Sequence, residues 1–171
     1  KTNYLVDPKM NSSGAIYNED WSSIIDFYDN ETDNYQQNNF QLLLDQKITK
    51  FWNLETTFHY TKGSGYYENY KQGDSFSKYN LANLFENGTE IETSDFIRKK
   101  WLDNDFFGVV NVLSGQFEKQ TFQIGFSANQ YLGRHFGEVS GVHFIQIKVW
   151  EYYRNQSKKS EISGFVKSIF Q

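Results

Sequence analysis

The chain has no cysteine, and only one proline and one methionine among its 171 residues. The lack of cysteine excludes a disulfide scaffold, a thiol nucleophile and a thiolate-bound metal. Basic residues are in short supply as well. Seventeen Lys and Arg face 21 Asp and Glu, which leaves a net charge of −4 and a pI near 5.4. Contact with phosphate backbones demands a basic surface, so nucleic acid is not an expected partner. No apolar run approaches the ~20 residues of a membrane helix. Also missing are a P-loop, a dinucleotide fingerprint, a GxSxG elbow and any zinc-type spacing among His59, His135 and His143. No residue set supports catalysis, so neither an enzyme nor a cofactor-binding protein is expected.

What the chain has in excess is aromatic: 16 Phe, 12 Tyr and 4 Trp. Such a composition excludes disorder over most of the length. A mean hydropathy of −0.70 fits a polar soluble protein. It fits a membrane β-barrel equally, because half of a barrel's strand residues face a wet lumen. The opening Lys1-Thr2-Asn3-Tyr4 has no charged n-region and no apolar h-region, so it reads as a mature start or an internal piece of something longer.

Strict alternation marks strands. Phe40, Leu42, Leu44, Gln46 and Ile48 oppose Gln41, Leu43, Asp45 and Lys47; Trp52, Leu54, Thr56, Phe58 and Tyr60 oppose Asn53, Glu55, Thr57, His59 and Thr61; Phe122, Ile124, Phe126 and Ala128 oppose Thr121, Gln123, Gly125, Ser127 and Asn129. A third-strand run carries Phe107, Val109, Leu113 and Phe117 on one parity, interrupted by Asn111. A last run carries Ile162, Gly164, Val166, Ser168 and Phe170, and a stretch over 142–153 reads as a strand without clean facing. Residues 1–36 read as a loop or irregular segment, in which the stretch 21–28 fits a helical turn or two as well as a loop with buried anchors.

The links alternate short, long, short, long, with long loops at 63–100 and 133–158. Tight turns at one end and large loops at the other suit an outer-membrane barrel, whose strands need ~9–11 residues to cross. The segments 40–48 and 52–60 each span nine residues. Phe40, Leu42, Leu44, Ile48, Leu54, Phe58, Phe122, Ile124 and Phe126 would then face lipid. Trp52, Tyr60, Phe107 and Phe117 would form interfacial girdles. A soluble sandwich with one wet face per sheet alternates in the same way.

Few constellations carry chemistry. Asp29-Asn30-Glu31-Thr32-Asp33-Asn34 places oxygens at alternate positions but lacks the glycine and bidentate glutamate of a calcium loop, and reads as a solvated acidic loop. Asp103 and Asp105 share one face of a strand and read as its polar top. Two glycosylation sequons, Asn87-Gly88-Thr89 and Asn155-Gln156-Ser157, occur by chance at this frequency. Tyr66, Tyr67 and Tyr70 cluster after Gly63-Ser64-Gly65, and with Arg134 and His135 they are the candidate ligand contacts, the equal alternative being tyrosines that only brace the loops against one another.

Five separated segments resemble the barrel region of TonB-dependent outer-membrane receptors of the Bacteroidetes type. They are Tyr28-Asp29-Asn30-Glu31-Thr32-Asp33-Asn34-Tyr35-Gln36-Gln37, His59-Tyr60-Thr61-Lys62-Gly63-Ser64-Gly65-Tyr66-Tyr67-Glu68, Trp101-Leu102-Asp103-Asn104-Asp105-Phe106, His135-Phe136-Gly137-Glu138-Val139, and Tyr152-Tyr153-Arg154-Asn155 followed by Lys158-Lys159. Asn111, Gly164 and Ser168 depart from the apolar pattern of that family. The resemblance implies a barrel of about 22 strands with a plugged lumen. It further implies import of a siderophore, cobalamin, glycan or peptide, driven by the TonB complex.

The expected fold is thus an all-β, antiparallel up-and-down meander forming part of a transmembrane β-barrel, with about five strands over 37–171. Its expected partners are the remainder of the barrel and plug, the TonB complex and outer-membrane lipid, and the isolated piece is expected to self-associate through its open edges. The alternatives are a soluble β-sandwich that binds carbohydrate, and a complete small barrel, which ~8 strands can close.

Overall fold

Residues that alternate in polarity and are rich in Phe, Tyr, Val and Ile fold here as long strands. The computed structural model describes residues 9–10, 15–17, 22–27, 32–141 and 149–170. Short strands β1 (Lys9–Met10), β2 (Ala15–Tyr17) and β3 (Ile24–Phe27) form one antiparallel sheet. The long strands are β4 (Thr32–Lys47), β5 (Trp52–Ser75), β8 (Thr93–Phe117), β9 (Gln120–Gly141) and β10 (Trp150–Phe170). Between β5 and β8 lie a 3₁₀ turn (Phe76–Tyr79) and the hairpin β6 (Leu84–Glu86) and β7 (Thr89–Ile91). That hairpin turns on Asn87-Gly88, both at positive φ, as a two-residue turn between twisted strands requires.

The five long strands make one antiparallel sheet in the order β10-β9-β8-β5-β4, a meander in chain order. The sheet is open, with β4 and β10 at its edges. Cross-strand contacts fix a regular register. Trp52 lies beside Gly115, Thr56 beside Asn111, and His59 beside Gly108. Ser114 meets Gln123, and Gly108 meets Asn129; Gly125 meets Phe165, and Ser127 meets Ser163. The β4–β5 turn closes with Ile48 N–H donating to Trp52 O at 3.0 Å, while Thr49 Oγ1 accepts from the Phe51 and Trp52 amides.

The chain divides into two compact units, and the long strands contribute to both. Unit 1 comprises Lys1–Tyr35, Gly65–Leu102 and His135–Asn155; unit 2 comprises Gln36–Ser64, Asp103–Arg134 and Gln156–Gln171. Among the described residues, unit 2 contains only the long sheet and its turns. One face carries Phe40 stacked on Tyr60 at 6.1 Å, and Trp52 edge-on to Phe117 at 5.7 Å and to Phe122 at 6.4 Å. Parity sets Leu42, Leu44, Leu54, Phe58, Ile124 and Phe126 on that same face. The opposite face holds Asp45, Lys47, Glu55, Ser114, Gln116 and Gln123 around a common hollow. Unit 1 has its own small core of Phe76, Tyr79, Phe96 and Val139.

Three sequence expectations are corrected. Strand continues through most of the expected loops, because β5 runs to Ser75, β8 begins at Thr93, β9 runs to Gly141 and β10 begins at Trp150. The tyrosines that made 63–75 look like a binding loop have high strand propensity, and pairing with β8 extends the segment. The separate strand expected over 142–153 is instead, from Trp150 onward, the start of β10; residues 142–148 lie outside the described residues. The stretch 21–28 is neither helical nor irregular at Ile24–Phe27, which pairs with β2; Trp21 and Tyr28 lie outside the described residues, as do Asp29, Asn30 and Glu31 of the acidic run.

Asn111 sits on the apolar face of unit 2, where Thr56 Oγ1 donates to its Oδ1 at 2.7 Å. Breaking one partner of such a pair leaves a polar atom without compensation. Thr56→Val should therefore destabilise the protein by about 1–3 kcal/mol, whereas Thr56→Val combined with Asn111→Val should recover most of that loss. Urea unfolding of the single and double variants measures the cycle.

Candidate functional site

In unit 1 the strand register assembles a cleft from two neighbouring rungs. Tyr66 packs on Trp101 with ring centroids 4.5 Å apart, and Glu68 meets Lys99 at 3.2 Å. Residues one step along point to the other face, where Tyr67 lies beside Lys100 and Gly65 beside Leu102. Trp101 stacks on Phe136 at 5.6 Å, which by the same step sets Leu102 beside His135 and Lys100 beside Gly137. At the two sides, Tyr35 folds over Gly65 and Tyr153 over Gly137. One rung therefore reads Asp33, Tyr67, Lys100, Gly137, Tyr153, and the next reads Tyr35, Gly65, Leu102, His135. All of these but Gly137 line a cleft of about 580 Å³.

The two glycines are what make room. A Cβ at Gly65 would collide with the Tyr35 backbone and ring, and one at Gly137 with the rings of Tyr152 and Tyr153. The Lys100 ammonium lies 5.8 Å from the Tyr67 ring centroid and has no ion-pair partner among the described residues. The His135 imidazole and the hydroxyls of Tyr67 and Tyr153 likewise make no side-chain hydrogen bond among the described residues. Asp33 stands two strands from Lys100 on the same rung and makes no ion pair with it. The cleft thus offers aromatic surface, one cation and several uncommitted donors.

The reverse face of the same strands is committed. Lys99 stands 4.6 Å over Tyr66, Trp101 Nε1 donates to Glu138 at 2.7 Å, and the Arg154 guanidinium lies 4.3 Å over Phe136. The segment after β5 is also pinned. Phe76 and Tyr79 pack on Phe96, Trp150 Nε1 donates to the Tyr79 carbonyl, and Asn80 Nδ2 donates to the Tyr152 carbonyl. Tyr79 donates its hydroxyl to Asp74, which also takes Lys78 at 2.9 Å. Burial pushes the Asp74 carboxyl up, but the hydrogen bonds from Tyr79 and Lys78 and the charges of Lys78 and Arg98 outweigh it, leaving it below its ordinary 3.8. Burial, followed by the Asp74 bond, holds the Tyr79 hydroxyl well above the ordinary tyrosine value. Burial pushes Tyr152 up to about 12.

Unit 2 carries a separate charged cluster. Asp103 and Asp105 share a face and hold Lys62 and Arg134 between them. Arg134 reaches Asp103 at 3.0 Å and Asp105 at 2.9 Å, and Tyr60 donates its hydroxyl to Asp105 at 2.6 Å. The two aspartates are thereby ion-paired and do not form a free carboxylate pair.

The structure separates the five candidate ligand contacts. Tyr67 and His135 line the cleft. Tyr66 also borders it, but its ring is engaged by Trp101 and Lys99. Tyr70 is corrected to a brace, only 1% exposed, with its hydroxyl donating to Asp95 at 2.6 Å. Arg134 is corrected to the charged cluster of unit 2. The physical reason is parity: neighbours along a strand point to opposite faces, so a run of tyrosines cannot act as one patch. Sequence reading missed Tyr35, Lys100 and Tyr153. Continuing the 52–60 alternation past Tyr60 would have found that Tyr67 shares a face with Gly65 and not with Tyr66. Comparison with protein-family models, curated proteins and solved structures finds no match.

The Asp74 shift sets a pH dependence for the 76–92 segment. A carboxylate depressed by folding contributes stability that is complete above its unfolded value and is lost as pH falls through the folded one. Trp150 fluorescence, which reports the bond to Tyr79, should hold steady at neutral pH and change only below pH 3.8. In Asp74→Asn the acid transition should be diminished, and a transition unchanged by that substitution would assign it to another group.

Proposed function

We propose that this chain is part of the wall of a bacterial outer-membrane transporter of the TonB-dependent type, which takes up a siderophore, cobalamin, glycan or peptide. The observation that carries this reading is the apolar face of unit 2. Phe40, Leu42, Leu44, Phe58, Ile124 and Phe126 are all exposed, with Phe40 at 61%. No described element of that unit covers them. A soluble protein does not leave a contiguous apolar surface of this breadth in water, so lipid is the natural solvent for it.

The limits of the face support the same reading. Trp52 and Phe117 stand at the turn end, and Tyr60 and Phe107 eight or ten residues along their strands. Such aromatic borders match the two interfaces of a bilayer. Lys62 follows Tyr60, and Asp103 and Asp105 precede Phe107, with Arg134 of β9 paired to both aspartates, where a strand leaves hydrocarbon and charge is tolerated. From Trp52 to Lys62 is eleven residues, against the ~9–11 that a tilted strand needs. The other face, with Asp45, Lys47, Glu55, His59 and Gln123, suits a wet lumen. The remaining strands, the plug and the TonB complex would be contributed by the parent protein. With no nucleotide-binding motif in this sequence, the energy for transport comes from that complex.

The carbohydrate-binding sandwich requires a second sheet ~10 Å away, and no described element of unit 2 supplies one. Cell fractionation tests the transporter reading. The full-length protein should appear in the outer membrane and migrate faster on a denaturing gel before heating than after; a soluble monomer would refute it. Leu44 lies opposite Thr56, midway along the belt, so Leu44→Arg should cost about 2–4 kcal/mol of stability in lipid. Gln41→Arg, on the other parity, should cost little.

A further inference from the structure

We propose that the unit 1 cleft binds an acidic saccharide through a hexuronate unit. The inference rests on the transporter reading only in treating the bound molecule as cargo. Recognition of a pyranose needs flat aromatic surface for its C–H face and directional partners for its hydroxyls. Tyr35 and Tyr153 are folded over Gly65 and Gly137 at the two sides of the cleft, and Tyr153 also meets the Tyr152 ring at 4.9 Å. Tyr67, 41% exposed, stands between them in the same cleft.

The charge arrangement selects within the saccharides. Lys100 lies on the rung between Tyr67 and the Tyr153 ring, and no described carboxylate neutralises it. The cations on the neighbouring face and in the charged cluster differ: Lys99 has Glu68, Lys78 has Asp74, and Lys62 and Arg134 have Asp103 and Asp105. An ammonium held among aromatic rings attracts a carboxylate more strongly than one in open water, because the apolar walls screen less. The carboxylate of a uronate stacked on Tyr67 or Tyr153 falls within reach of Lys100. Ring hydroxyls then find His135 on one side, and on the other Asp33, which accepts from hydroxyls but repels a second carboxylate. A neutral sugar would leave Lys100 unanswered. A small bare anion would leave the tyrosines unused.

Trp101 borders the cleft, so its fluorescence can report occupancy. The test uses the full-length protein in detergent, titrated with tri-galacturonate, its methyl ester and inorganic phosphate. Tri-galacturonate should quench saturably and bind at least tenfold more tightly than the ester, with phosphate failing to compete. Lys100→Met should weaken the acid at least tenfold and leave the ester unchanged, whereas Lys99→Met, on the committed face, should alter neither. Equal binding of acid and ester, effective competition by phosphate, or indifference to Lys100→Met would each overturn the proposal. If no saccharide binds while the protein resides in the outer membrane, the proposal falls and the transporter reading stands. Selective binding by a protein found outside the outer membrane would uphold the ligand class and remove the transporter.

Discussion

Everything in this chain depends on one constraint, the unbroken antiparallel register of its long strands. From Trp52 beside Gly115 to Glu68 beside Lys99, β5 and β8 keep step without a slip. β9 and β10 keep theirs from Gly125 beside Phe165 to Gly137 beside Tyr153. A displacement by one residue would turn the apolar belt residues of the slipped strand toward the polar face. It would also exchange the cleft residues Tyr67 and Lys100 for the committed pair Tyr66 and Lys99. Belt and cleft are each fixed by the parity of their own residues.

The register is held by pairs that tolerate no substitute of ordinary size. Four glycines sit beneath an aromatic ring from the neighbouring strand: Gly65 under Tyr35, Gly115 under Trp52, Gly125 under Phe165 and Gly137 under Tyr153. Glycine in a strand costs backbone entropy and packs nothing itself. A large ring folded across it recovers the lost contact and covers the bare peptide, the arrangement known to rescue strand glycines. Because a Cβ at any of these positions would overlap the ring, the pair also specifies which residue faces which. The same device has different consequences in the two units: it adds aromatic edge to the apolar face at Trp52 and platforms to the cleft at Tyr35 and Tyr153.

This logic explains how much was legible in the sequence. Period-two alternation exposed the central part of each long strand, since Phe40, Leu42 and Leu44 stand against Gln41, Asp45 and Lys47, with Leu43 as the exception. The strand extensions were not legible, because past Tyr60 both parities carry polar and aromatic residues and alternation loses its contrast. There the side chains on both faces are engaged, by Trp101 and Glu138 on one side and by the cleft on the other. Asn111 looked like a flaw in the third strand until its partner Thr56, 55 residues away in sequence, was known. The cleft was half visible: the tyrosines drew attention, but only the register tells Tyr67 from Tyr66, and only pairing shows that Lys99 is neutralised.

The open sheet makes a last physical demand. β4 and β10 each present one side of their backbone to no described strand. In water such edges invite indiscriminate pairing, and proteins blunt them with lysine or irregularity. β10 does carry Lys158, Lys159 and Lys167, but β4 is rich in amides, with Gln36, Gln37, Asn38, Asn39 and Gln41 in regular strand. Within hydrocarbon, blunting is insufficient, because an unpaired N–H or C=O there costs several kcal/mol. The apolar face and the bare edges thus lead to one requirement. If lipid covers that face, further strands must cover both edges, and the only spanning arrangement that leaves none bare is a closed barrel.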